Sequence, residues 1–146
     1  MDVLARFSER LKELMTDNGL NTLSLEKATG CTNSNISKWL HRKKAPTLNS
    51  LIILSDFFEC SLDYLTGRSD DMSRGTITNV STFKDRLNTL IKSSGKTVFR
   101  ISKEIPIPNS QLYKFLKGQT PTLFTLCLIA DYFDCSIDYL AGREDF

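Results

Sequence analysis

A chain of 146 residues, 40% hydrophobic and 25% charged, is long enough for one medium domain or two small ones. Its formal net charge of +2 is too mild to prove a polyanionic partner, so the placement of charge matters more than its sum. No apolar run approaches the roughly 18 residues of a membrane span, and the charged opening "MDVLARFSERLKELM" is not expected to be a secretory signal.

Without export, the four cysteines are expected to stay reduced in the cytoplasm. Cys31, Cys60, Cys127 and Cys135 contain no CxxC spacing, and His41 is the only histidine. Buried apolar thiols are therefore expected, with no metal and no cofactor. No nucleophile–base pair, metal cluster or Gly-rich phosphate loop is present, so an enzyme is not expected.

The first predicted helix carries Leu4, Phe7, Leu11, Leu14 and Met15 at helical spacing and stops at Asn18-Gly19. A short second helix runs over 24–29 and is closed by Gly30. Thr32 can cap a third, over 33–41, because its hydroxyl can accept from a free N–H of the first turn. Pro46-Thr47 opens a fourth, with Leu48, Leu51, Ile52, Ser55 and Phe58 expected to face inward. Ser61 caps a last turn through Asp63-Tyr64-Leu65, ended by Gly67.

The polar stretch "SDDMSRGTITNVS", 69–81, reads as a tether whose 13 residues reach at most about 45 Å. Beyond it the pattern returns. "CSLDYLTGR" from Cys60 reappears as "CSIDYLAGR" from Cys135, with seven of nine letters unchanged. "APTLNSLIILSDFFE" returns as "TPTLFTLCLIADYFD", and "FSERLKELMTDNG" as "FKDRLNTLIKSSG". The offset is 76 at the front and 75 at the back, so one residue is missing from the second copy between Lys43 and Pro121. Helices are predicted there over 83–93, 100–104, 109–117, 123–133 and 136–140. No segment alternates with period two long enough for a strand, so the fold is all-α. The expected organisation is 1–68, a tether 69–81, and 82–146.

The third helix and its exit, "CTNSNISKWLHRKK", are the informative part. A helix, a tight turn and a second helix with a polar outer face make a helix-turn-helix pattern. Leu25 and Ile36 are expected to pack the pair, Gly30 to allow the turn, and Trp39 and Leu40 to pin the second helix to the body. That leaves Asn33, Ser34, Ser37 and Lys38 outward, with Asn35 at the edge. Asn suits adenine, Lys suits guanine and Ser suits several base edges. The "HRKK" exit would hold phosphates. From Lys27 to Lys44 there are five Lys or Arg and no acid, and from Lys96 to Lys117 five against only Glu104. Acids collect elsewhere, at Asp56, Glu59 and Asp63 and at Asp131, Asp134 and Asp138, which would leave one basic side for counterion release.

Each copy, through "LEKATGCTNSNISKWL", the prolines Pro46 and Pro121, and the tails "SLDYLTG" and "SIDYLAG", resembles the phage-repressor-type (XRE, or lambda-repressor-like) helix-turn-helix domain. The resemblance implies two tandem five-helix lambda-repressor-like domains and a sequence-specific regulator of double-stranded DNA, a repressor of bacterial or phage type. In that family the start of the second helix touches phosphate, and the first, second and sixth residues of the third meet bases. This implicates Thr22, Asn33, Ser34 and Lys38 in copy one and Asn109, Ser110 and Lys114 in copy two, where Val98 at the Thr22 position has no side-chain donor. Around them, Thr32, Asn35, Ser37, Arg42, Lys43 and Lys44, and Gln111 and Lys117, complete the expected DNA-binding set.

The sequence departs from that family at several points. Glu26 stands where a small residue is usual, so the helix pair of copy one is expected to sit apart. Arg42 stands where a Gly commonly ends the third helix, whereas copy two has Gly118. In copy two Pro106 replaces the turn glycine and Pro108 the capping threonine, which biases Ile105 and Ile107 toward extended backbone. Trp39 is expected in the core, Tyr64 and Tyr139 are expected to pack against their own domain, and Tyr113 faces either DNA or core. The expected partner is duplex DNA, with a homodimer or a regulatory protein beside it and neither a membrane nor a small-molecule ligand. The rival reading is an antirepressor- or antitoxin-like module in which one or both copies bind protein.

Overall fold

The structure is a computed structural model and describes residues 2–75 and 81–144. The chain divides into two compact units, one chiefly Met1–Arg74 and the other chiefly Gly75–Pro121 with Thr125–Phe146. The described residues form five helices in each unit and no strand.

In the first unit, α1 (Val3–Asp17), α2 (Thr22–Thr29), α3 (Asn33–Leu40), α4 (Leu48–Phe58) and α5 (Leu62–Leu65) enclose one core. Phe7, Leu11, Leu25, Ile36, Leu51, Leu54, Leu62 and Leu65 are wholly withdrawn from solvent. Asn21 and Ser24 form a reciprocal cap, each accepting a backbone N–H of the other at 2.8 Å, and so α2 begins two residues before the sequence expectation. Thr32 caps α3 as expected, accepting from the Asn35 N–H at 3.1 Å. The phase of α4 is corrected at one place. Leu54 takes the buried position and Ile52 stays partly exposed, because Leu48, Leu51, Leu54 and Phe58 form the inward stripe.

Trp39 and Phe7 meet edge to face with ring centroids 6.2 Å apart, and the Ser8 hydroxyl donates to the Trp39 carbonyl. Both contacts tie α3 to α1. The tail after α5 closes on α1 as well. Gly67 has φ +77°, and a Cβ there would lie 2.8 Å from the Arg6 Cβ, so glycine is needed twice over. Tyr64 lies under Arg10, whose guanidinium carbon is 3.7 Å from the ring centroid and whose Nη1 donates to the Tyr64 carbonyl at 2.7 Å.

The stretch 69–74, read from sequence as part of the tether, is bonded to the first unit. The Ser61 N–H donates to the Met72 carbonyl at 3.0 Å, and Arg74 pairs with Asp56 at 2.8 Å. Residues 76–80 of that expected tether lie outside the described residues.

The second unit holds α6 (Phe83–Ser94), α7 (Val98–Glu104), α8 (Asn109–Leu116), α9 (Leu123–Phe133) and α10 (Ile137–Leu140). Leu87, Ile101, Leu112, Phe115, Ile129, Ile137 and Leu140 are buried. Thr97 caps α7, so this helix too starts two residues early. Phe83 and Phe115 meet edge to face at 5.7 Å, where the first unit has Phe7 and Trp39. Arg86 lies 4.3 Å above the Tyr139 ring, where the first has Arg10 and Tyr64.

Candidate nucleic-acid interface

The turn of the first unit is three residues long. Gly30 takes φ +82°, a left-handed conformation that ends α2 while its N–H still donates to the Glu26 carbonyl at 2.8 Å. Glu26, expected to hold the helices apart, does something else. It is half-buried, and its carboxylate accepts the Asn33 backbone N–H at 2.7 Å. A carboxylate there satisfies an otherwise free donor and faces the positive end of the α3 dipole. Leu25 and Ile36 remain fully buried beneath it.

On α3, Ser34 and Lys38 are exposed, whereas Asn33, Asn35 and Ser37 are half-buried at the rim of the same face. Thr22, the first residue of α2, is also half-buried. Lys38 and Lys43 have no ion-pair partner among the described residues. Several other members of the expected set are already engaged. Lys44 donates to the Asn35 side-chain oxygen at 3.0 Å. The Ser37 hydroxyl lies 3.4 Å from the His41 Nδ1, which also meets the Ser37 carbonyl at 2.8 Å. Thr32 spends its hydroxyl on the cap.

Arg42 holds φ +59° where a glycine is more usual, and its guanidinium reaches Glu9 of α1 at 3.3 Å. A left-handed side-chain residue costs about 1–2 kcal/mol, and an exposed pair of this kind returns about 0–1 kcal/mol. Arg42→Gly is therefore expected to stabilise the first unit by about 1 kcal/mol. Urea unfolding checks this, and a loss of stability would show that the Glu9 contact outweighs the strain.

The second unit builds its turn differently. Four residues, Ile105 to Pro108, separate α7 from α8, and none has positive φ. Ile105 is extended at φ −126° and ψ 152°, and the Ile107 N–H closes a tight turn around Pro106 onto the Ile105 carbonyl at 2.8 Å. Ile105 and Ile107 are both buried, so apolar anchoring replaces the glycine turn. Pro108 occupies the cap position of α8 and offers no side-chain bond. Asn109 and Gln111 are half-buried, and Ser110, Lys114 and Lys117 are exposed. Tyr113, for which sequence left two orientations open, is exposed.

The count of basic residues in this unit is misleading. Glu104 accepts from Lys96 at 2.8 Å, from Arg100 at 3.0 Å and from the Tyr132 hydroxyl at 2.6 Å. Arg100 and Glu104 are neighbours one turn apart on α7, and Lys96 reaches Glu104 from just before the helix. Val98, at the phosphate-touching position implied by the resemblance, is two residues from Arg100 and hence about 200° around the helix. Arg100 thus lies on another flank, and two of the five cations, Lys96 and Arg100, are already paired with Glu104.

The same cluster sets a pH dependence. The Lys96 ammonium first, then the Tyr132 hydroxyl and the Arg100 guanidinium, hold the Glu104 carboxyl down from 4.5 to about 2. A lowered folded-state pKa stabilises the fold above the unfolded value and loses that stabilisation as pH falls. The second unit should therefore weaken from about pH 4.5 down to about pH 2, and Glu104→Gln should flatten that window. Urea midpoints of both chains across this range measure it, and parallel curves would show the cluster contributes nothing.

Three parts of this geometry were missed from sequence: the Glu26 cap, the Lys44–Asn35 bond, and the pairing of Tyr132 with α7. Only the first had a local signal, a carboxylate seven residues before a helix start. Among the described residues no cluster of His, Cys, Asp or Glu could hold a metal, and no helix is long and apolar enough to cross a membrane.

No curated protein and no solved structure resembles the chain closely enough to match it. Residues 10–71 match the family model of the Cro/C1-type HTH DNA-binding domain. That span runs from within α1 to beyond α5 and contains the whole α2–turn–α3 unit. Residues 10–71 of this chain form a helix-turn-helix domain of the Cro/C1 type.

Proposed function

We propose that the protein is a sequence-specific double-stranded DNA-binding transcriptional regulator, a repressor of bacterial or phage type acting in the cytoplasm. The observation that carries this is the outward face of α3, in the unit that matches the Cro/C1-type domain. It has Ser34 and Lys38 exposed, Asn33 at its rim, and Lys43 unpaired just beyond its end. In this reading α3 enters the major groove, where Asn33, Ser34 and Lys38 meet base edges, while Thr22, Arg42 and Lys43 meet phosphates. Lys44 orients Asn35 and adds charge. The second unit is a second helix-turn-helix, with Asn109, Ser110, Gln111 and Lys114 on its recognition helix and Lys117 on the phosphate rim. Two modules on one chain raise each other's effective concentration, so avidity rises by roughly 10²–10⁴-fold when both fit one site.

Selection of bound duplexes from a random pool by the full chain tests the proposal. The expected result is an enriched site with two separately definable halves. Recovery of random sequence at low ionic strength would overturn it.

A second reading has a specific observation in its favour. The Lys96 and Arg100 pairing and the uncapped start of α8 leave the second unit a weaker electrostatic reader than the first. In that reading the second unit binds protein or makes a homodimer. Lys114→Ala in the full chain separates the two. A changed selected site supports DNA reading by α8, and an unchanged site with a changed sedimentation coefficient supports the protein contact.

A further inference from the structure

On α8 and its C-cap the residues Asn109, Ser110, Tyr113, Lys114 and, at the cap, Lys117 fall within one outward stripe when placed at 100° per residue. The other side of the helix carries the buried Leu112 and Phe115. Tyr113 sits inside the stripe, one turn beyond Asn109 and one turn before Lys117. It is 50% exposed, and its hydroxyl has no partner among the described residues. The corresponding place on α3, four residues after Asn33, is held by Ser37, whose hydroxyl lies 3.4 Å from the His41 Nδ1. The two candidate recognition faces therefore differ most in size and polarity at this one position.

The floor of a major groove presents donors and acceptors at every base pair but only one apolar group, the C5 methyl of thymine. A phenol ring inside a stripe of small polar and cationic side chains has that methyl as its natural complement. We propose that Tyr113 reads a thymine methyl in the half-site bound by the second unit, so that the two half-sites differ in sequence. This rests on the DNA-binding reading of the second unit. It adds a specificity position beyond the first, second and sixth residues of the recognition helix. A twofold-symmetric operator does not follow from such a pair of faces.

The experiment uses the full chain and its Tyr113→Ser, Tyr113→Gln and Tyr113→Phe variants, each selected against the same random duplex pool. The parent should fix thymine at one base pair of one half-site. Tyr113→Ser should scatter that base pair and leave the other half-site untouched, and Tyr113→Phe should fix it again, since the ring makes the contact. Replacing that thymine by deoxyuridine removes the methyl alone. It should weaken the parent and Tyr113→Phe about fourfold, the worth of one buried methyl-sized group, and leave Tyr113→Ser unchanged. Tyr113→Gln replaces the serine variant should the latter lose its thermal transition. An unaltered selected site for Tyr113→Ser, or an equal deoxyuridine penalty in parent and variant, overturns the assignment while DNA reading by the chain stands. A second half-site missing from the parent's pool overturns DNA reading by the second unit, and the inference with it.

Discussion

Trp39→Ala is expected to unfold the first unit, and Trp39→Phe is expected to leave it folded. The indole is 2% exposed, stacked edge to face on Phe7, and its backbone carbonyl receives the Ser8 hydroxyl. Removing a buried aromatic of this size costs about 3–5 kcal/mol. A core built by fewer than about 80 residues rarely supplies more than about 3–5 kcal/mol in total, so the alanine variant has nothing left to spare. Phenylalanine differs for a reason visible in the structure itself. The Trp39 Nε1 is the one buried side-chain nitrogen or oxygen without a hydrogen-bond partner among the described residues. Replacing it by a hydrocarbon edge therefore sacrifices no bond and removes the desolvation cost of an unpaired donor. The second unit already carries Phe115 at the corresponding place, packed on Phe83 in the same edge-to-face manner. Chemical denaturation followed by far-ultraviolet circular dichroism should lose the first unit's transition in Trp39→Ala and keep it in Trp39→Phe. A cooperative transition of normal size in the alanine variant would mean that α3 is held by something other than this contact.

What could be read from the letters alone follows a physical divide. Helix phase is local, so Ile36 and Trp39 three residues apart reveal the buried side of α3 without any structure. Caps are local too, and Thr32 and Ser61 act as their positions suggest. Asn21 is hard to read as a cap because Thr22 and Ser24 keep the start of α2 polar, whereas Thr97 stands directly before the apolar Val98-Phe99 and carries a local signal; both caps start their helices two residues earlier than expected. Charge pairing is different in kind. Tyr132 lies 28 residues from Glu104 and Arg42 lies 33 from Glu9, so a count of basic residues cannot tell which cations are already occupied. The prolines of the second turn illustrate the boundary between the two cases. Extended backbone at Ile105 follows from Pro106 by local sterics, whereas burial of Ile105 and Ile107 requires the packed unit.

The separation of free from occupied cations makes the electrostatic part of the proposed interface testable residue by residue. Lys43 has no partner to lose, so Lys43→Ala should weaken every duplex alike and lower the slope of log affinity against log salt by about 0.9. Lys38, exposed on the outward face of α3, should behave otherwise: Lys38→Ala is expected to cost about 1–3 kcal/mol on the selected site and far less on random duplex. Lys44→Ala should fall between them, because it removes a charge and also frees the Asn35 amide that it holds at 3.0 Å. Glu9→Gln works in the opposite direction. It releases Arg42 from its 3.3 Å pair and should strengthen binding to all duplexes, most at low salt where an extra phosphate contact is worth most. Titrations of the full chain on selected and random duplexes at several salt concentrations read all four changes together. If Lys38→Ala and Lys43→Ala shifted both duplexes equally and with the same slope, α3 would be gripping the backbone without reading bases, and the regulator would have to find its sequence by another face.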